Sequence, residues 1–202
     1  SITKIMTALI VIRDGNLSDM VTVGPETVIT ETGASLAHIN PGDTLTMEQL
    51  LYGLMLPSGN DAGAAIAVHM AGSTDAFAEK MNETAHALGA TDTHFVNPHG
   101  LSNEDHYTTA YDLYLIFNEA MKYRKIIGTV SYQAQYTDST GQVKTQEWKN
   151  SNQYLNGKSK APDGITILGG KTGTTRAAGS CLILGSQDES GNDYISVVLK
   201  AE

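Results

Sequence analysis

Apolar residues crowd the start of the chain: from Ile2 to Ile12 only Thr3, Lys4 and Thr7 interrupt them. On a helical wheel they fall on nearly every side, which predicts a buried helix rather than a surface one. Arg13-Asp14-Gly15-Asn16 ends it with a basic residue and a turn-forming Asp-Gly. Met20 to Val23 and Thr27 to Thr30 read as short strands around Gly24-Pro25, and Asn40-Pro41-Gly42-Asp43 is a turn. Thr46-Met47-Glu48-Gln49 fits a capping box for a helix with Met47, Leu50, Leu51 and Leu54 at helical spacing, stopped by Pro57. An alanine- and glycine-rich helix should follow from Asn60 or Asp61, small enough in section to lie deep in a helical cluster. Ser73 caps a third element with Phe77, Met81, Ala85 and Leu88 on one face, and Gly89 closes it. A fourth runs from about Thr109 to Tyr123, with Leu113, Phe117 and Ala120 inward.

The period then changes. Tyr132 to Tyr136 and Val143 to Trp148 alternate across Asp138-Ser139-Thr140-Gly141, as a hairpin does. Gly164 to Leu168 reads as a strand leading into Lys171-Thr172-Gly173, and Ser180 to Ser186 pairs with Tyr194 to Lys200 across Ser190-Gly191-Asn192-Asp193. Helices fill the middle and strands gather late. The expected class is α+β, an antiparallel sheet with an α-helical cluster, in a single domain over 1–202 without repeats or a linker.

A formal net charge of -9 argues against nucleic acid, whose phosphates demand a basic face. No run approaches the roughly 18 apolar residues needed to span a bilayer. The single Cys181 excludes an internal disulfide. Cys181-Leu182-Ile183-Leu184 reads as a strand, with the thiol in the core rather than as a nucleophile.

Three short motifs carry chemistry. Ser1 and Lys4 are three apart, so on a helix the hydroxyl and amine share a face. A serine needs a base beside it, and Lys4 can serve if apolar surroundings and the helix N-terminus lower its pKa. The same four residues are also what a Ser cap before a solvated lysine gives. Ser58-Gly59-Asn60 reads either as a turn and cap or as a relay hydroxyl with an amide that holds Lys4 and a substrate carbonyl. Lys171-Thr172-Gly173, framed by glycines, offers a charge and a hydroxyl to a carboxylate, and glycines there invite close approach of a ligand backbone. The backbone N–H groups of Thr174 and Ser1 would form an oxyanion hole. His94, His99 and His106, with Asp92 and Asp105, lack the spacing of a zinc site, so no metal is expected.

In this order the three motifs make a set far more specific than any one. The set resembles the low-molecular-weight D-alanyl-D-alanine carboxypeptidases, the penicillin-binding family of serine peptidases. Further stretches carry the likeness, among them Ile2-Thr3-Lys4-Ile5-Met6-Thr7-Ala8, Phe95-Val96-Asn97-Pro98-His99-Gly100-Leu101 and His106-Tyr107-Thr108-Thr109-Ala110-Tyr111-Asp112-Leu113. The resemblance covers nearly all the chain. It implies a β-lactamase/transpeptidase-like fold, with Ser1 as nucleophile and Lys4 as base. Ser58 and Asn60 would complete the catalytic group with Lys171, while Thr172, Gly173 and Thr174 bind substrate.

It also implies release of the terminal D-alanine from peptidoglycan stem peptides through an acyl-enzyme, inhibition by β-lactams, and no metal or organic cofactor. The expected location is outside the cytoplasmic membrane, with anchoring only through segments absent here. Family members carry strands before Ser-x-x-Lys and a helix after the last strand. Without them the sheet should have an unpaired edge and an uncovered face. Were Ser1 the true terminus, its nitrogen would be an α-amine of pKa about 8 rather than a peptide N–H. The terminal amine would then be the alternative base. A D,D-endopeptidase, a β-lactamase and an inactive binding fragment are the other readings. Neither Glu104 nor Glu119 sits in a match to the water-positioning glutamate of β-lactamases.

Overall fold

A computed structural model describes residues 2–201. The first helix, α1, spans Lys4–Asp14 and is buried from Lys4 to Val11. Ile2 and Thr3 wind into it through bonds from the Ile5 and Met6 N–H groups to their carbonyls, both 3.0 Å. Helices α2 (Met47–Met55), α3 (Asn60–Ala71), α4 (Thr74–Ala87) and α5 (Ala110–Ala120) follow, with a short α6 at Arg124–Gly128. The caps are the expected ones. Thr46 and Gln49 form a reciprocal capping box, Ser73 accepts from Ala76 N–H, and Thr109 accepts from Asp112 N–H.

The strands divide into two antiparallel sheets where the sequence suggests one. Strands β1 (Met20–Thr22), β2 (Thr44–Thr46), β3 (Ser131–Thr137) and β4 (Val143–Lys149) make a small outer sheet in that order. Strands β5 (Ile165–Thr175), β6 (Gly179–Asp188) and β7 (Asp193–Ala201) make the second. The strand expected over Thr27 to Thr30 does not form. Pro25–Thr27 is a 3-10 turn, with Thr27 Oγ1 donating to the Gly24 carbonyl, so the proline's fixed φ wins over the β-branched pattern.

One apolar core joins α1, α2, α3, α4 and α5 to the inner face of β6 through Ile183 and its neighbours. α1 runs through its centre, which is why a helix apolar on all sides is stable there. The alanine-rich α3 packs on α2 and α4 as its small section predicts. Strand β7 pairs only with β6 among the described residues, and Tyr194 and Val198 on it are exposed.

Candidate active site

Lys4 is fully buried. Its Nζ donates to Asn60 Oδ1 and to the His99 carbonyl, each at 2.6 Å. Burial, and then the charge of Lys171, hold its pKa well below the lysine range, while Asp61 opposes them. A neutral amine has two N–H groups and one lone pair. The two acceptors use both N–H groups, which leaves the lone pair to take a proton. Ser1, the proposed partner, lies outside the described residues.

Asn60 opens α3, and its own N–H donates to the Ser35 carbonyl at 2.9 Å. Ser58 precedes it with φ 63°, a left-handed conformation uncommon for serine. Its hydroxyl is buried and has no hydrogen-bond partner among the described residues, so it is an orphan polar group beside Asn60. Gly59 between them is required by space. A Cβ there would lie 2.7 Å from the Gly53 carbonyl oxygen and 2.8 Å from Ala37. That contact explains why this middle motif carries glycine.

Lys171 on β5 is also buried, and burial pushes its amine down to about 7. Its Nζ donates to the Thr172 carbonyl at 2.8 Å. Thr172 Oγ1 and Ser151 Oγ are 2.9 Å apart, which ties the 151–159 segment to the motif. The glycines before Lys171 do not open the site to a ligand. Cβ atoms at Gly169 and Gly170 would meet the Ile127 backbone at 2.6 Å and the Ile183 carbonyl at 2.2 Å, so they admit the protein's own chain.

Three cavities converge on Thr174. One of about 370 Å3 is lined by Ile2, Thr3, Phe95, His106, Tyr107 and Gly173 among others. A second, about 450 Å3, lies between Thr172, Thr174 and the segment from Ser151 to Ser159. The third, about 520 Å3, is lined by Asn60, Thr174, Glu31 and Arg176 among others. The structure therefore brings Lys4 and Asn60 into contact, places Lys171 within electrostatic reach of Lys4, and puts Thr172, Gly173 and Thr174 along the cleft.

Several groups escape a reading by side-chain type. His99 serves through its carbonyl. Asp61, fully buried, accepts from the Ala37 N–H at 2.8 Å and the Ile39 N–H at 3.2 Å, and Trp148 Nε1 donates to the Ala37 carbonyl at 2.9 Å. Together they fix the 35–39 segment beside Asn60. An acidic residue in a helix's first turn was the only sequence signal for Asp61.

The histidines are structural. His106 Nδ1 accepts from Val96 N–H, so in the neutral ring Nε2 carries the proton and donates to Thr3 Oγ1 at 2.8 Å. Burial first lowers His99 to about 3 and His106 to about 4. Cys181 is half-buried at the cavity margin rather than in the core, its Sγ 3.4 Å from the Ala178 carbonyl.

The structure thus sets a buried lysine at the start of α1, a buried hydroxyl and amide at the start of α3, and a second buried lysine on β5. The profile of the D-alanyl-D-alanine carboxypeptidase family matches residues 1–202, and the chain belongs to that family of serine hydrolases. It is similar to a D-alanyl-D-alanine carboxypeptidase of Streptomyces sp. strain K15, at 37% identity over 98% of this chain and 71% of that protein. It is also similar to the D-alanyl-D-alanine carboxypeptidase DacD of Escherichia coli K12, at 34% identity over 100% of this chain and 52% of that protein. The solved Streptomyces K15 DD-transpeptidase superposes with a TM-score of 0.89 at 37% identity, covering 100% of this chain and 80% of that one. The fold is thus that of the penicillin-binding D,D-peptidases.

Proposed function

We propose that the chain removes the terminal D-alanine from peptidoglycan stem peptides through an acyl-enzyme on Ser1. The observation that carries this reading is the Lys4 amine, desolvated and held by Asn60 Oδ1 and the His99 carbonyl with its lone pair unspent. In this mechanism Lys4 takes the Ser1 proton as Oγ attacks the carbonyl of the penultimate D-alanine. The N–H groups of Ser1 and Thr174 stabilise the oxyanion. The orphan Ser58 hydroxyl passes a proton from Lys4 to the departing amine nitrogen. Lys171 and Thr172 hold the terminal carboxylate. Water then attacks the ester, returns the proton through Lys4 and frees Ser1.

β-Lactams acylate the same hydroxyl, because their amide opens at the same position. Peptidoglycan substrates place the enzyme outside the cytoplasmic membrane. None of the described helices is long and apolar enough to cross one. The test is D-alanine release from a diacyl peptide ending in D-Ala-D-Ala. Release that survives chelators and is blocked by penicillin supports the reading, and release blocked by chelators alone contradicts it.

The name of the Streptomyces structure, a DD-transpeptidase, favours a second fate for the same ester, attack by an amine instead of water. Product ratios with and without added glycine separate the two.

A further inference from the structure

Two residues one turn apart on α1 meet two successive carbonyls of the 95–107 loop. Lys4 Nζ donates to the His99 carbonyl and Thr7 Oγ1 donates to the Pro98 carbonyl, each at 2.6 Å. Positions three apart share a helix face, so the pair grips the loop in register. Thr3, on the turn before Thr7, is bonded to His106 of the same loop. Thr7 is fully buried, and the Met81 sulfur 4.0 Å away is a weak acceptor, so the Pro98 carbonyl takes its one proton. A helical threonine often returns its hydroxyl to its own helix, to the carbonyl three or four residues back. Thr7 spends it on the loop.

The peptide units on either side of His99 are tied at both ends. Asn97 Oδ1 accepts from the His99 N–H at 3.3 Å and from the Gly100 N–H at 2.7 Å. The first N–H shares a planar unit with the Pro98 carbonyl, and the second shares one with the His99 carbonyl. Each unit thus has its N–H on Asn97 and its carbonyl on α1. Helix α3 packs closely on the same stretch: a Cβ at Gly63 would lie 3.3 Å from His99 Cβ and 3.7 Å from the Pro98 carbonyl oxygen. The direction of the His99 carbonyl matters because a neutral amine carries its lone pair where its two N–H bonds are not. Asn60 Oδ1 fixes one N–H and the His99 carbonyl the other, so displacing that carbonyl turns the lone pair.

We infer that Thr7 is a positioning residue for the general base. By holding the Pro98 carbonyl it fixes the His99 carbonyl, and through it the direction of the Lys4 lone pair. Thr7 itself meets neither substrate nor reacting atoms. The inference rests on the reading of Lys4 as the base that serves Ser1.

Rapid-mixing kinetics with benzylpenicillin separate the limiting rate constant of acylation from the half-saturating drug concentration. Thr7→Val keeps the shape of the side chain and removes the donor. It should lower the limiting rate constant by at least about tenfold, the scale on which displaced catalytic groups lose rate, and leave the half-saturating concentration unchanged. Thr7→Ser keeps the hydroxyl and should recover most of the rate. Thr7→Ala should be as slow as Thr7→Val, and since it differs from Thr7→Ser by the hydroxyl alone, that pair carries the comparison if the valine variant does not fold.

Equal limiting rate constants in Thr7→Ser and Thr7→Ala overturn the proposal. So does a loss that falls on the half-saturating concentration alone, which is what a role in shaping the cleft would give. The 13Cε resonance of Lys4, assigned by its absence from Lys4→Met, adds a readout without turnover. It should shift in Thr7→Ala and stay near its wild-type position in Thr7→Ser. If penicillin acylates no form of the protein yet this resonance follows the hydroxyl, the positioning stands and the reaction assignment fails. If Lys4→Met acylates slowly while Thr7→Ala matches the wild type in rate and resonance, the reaction assignment stands and the positioning fails.

Discussion

At the scale of single residues the account rests on a lysine that is unusual for being dry. Lys4→Met should keep the helix and its packing yet slow acylation by penicillin by roughly 100-fold or more, the range of general-base contributions. Asn60→Ala should cost less, because the His99 carbonyl still orients the amine. Lys171 gives a pH prediction with a definite sign. Its folded pKa of about 7 lies below the ordinary value of 10.5, so the unfolded chain holds the proton more tightly. Stability from this group therefore rises with pH between about 7 and about 10.5, and below that window the burial cost is fully present.

Function moves the opposite way. In the proposed mechanism the Lys171 charge that binds the carboxylate is lost as pH rises through about 7, so KM for peptide donors should climb on the basic side, and Lys171→Arg should flatten that limb. The motif residues were legible in the sequence because the roles proposed for serine, lysine and asparagine there are side-chain roles. The His99 carbonyl was not, since a backbone acceptor has no residue type.

At the scale of elements, the site depends on how the Ser58-Gly59-Asn60 turn is braced. The Gly53 carbonyl and Ala37 press on Gly59, while Asp61 and Trp148 pin the 37–39 segment. Gly59→Ala should destabilise the fold by about 1–3 kcal/mol, as overpacking does, measured by chemical denaturation. Asp61→Ala should also be costly, since it leaves two buried backbone N–H groups without an acceptor.

The loop from Phe95 to Tyr107 brings an acid sensitivity. His99 and His106 are held neutral, to about 3 and about 4, against an ordinary 6.5. The unfolded chain binds more protons in that interval, so stability should be level above pH 6.5 and fall as pH drops through 6.5 towards 4 and 3. Calorimetric Tm at pH 7 and pH 5 checks it, and His106→Gln should reduce the slope. Helix limits and caps were readable because capping chemistry is local. The bracing was not, because Asp61 and Ala37 are 24 residues apart and Trp148 is 111 residues from its acceptor.

At the scale of the molecule, periodicity gave strands and helices but not how strands sort. β2 meets β3 across 92 intervening residues at Thr44 and Thr137, so the small sheet is a long-range assembly that no local pattern encodes. The Thr27 to Thr30 strand failed for a local reason, a proline-led 3-10 turn. The two sheets and the α1 core hold Lys4 against Asn60 and set Thr172, Gly173 and Thr174 along the cleft, and the proposal that unites them is that Ser1 is the nucleophile served by Lys4. Its most direct test is intact-mass spectrometry after exposure to benzylpenicillin, followed by peptide mapping. The account predicts a single penicilloyl adduct on Ser1, absent in Ser1→Ala and slow to form in Lys4→Met. An adduct on another residue, or one that persists undiminished in Ser1→Ala, would contradict it.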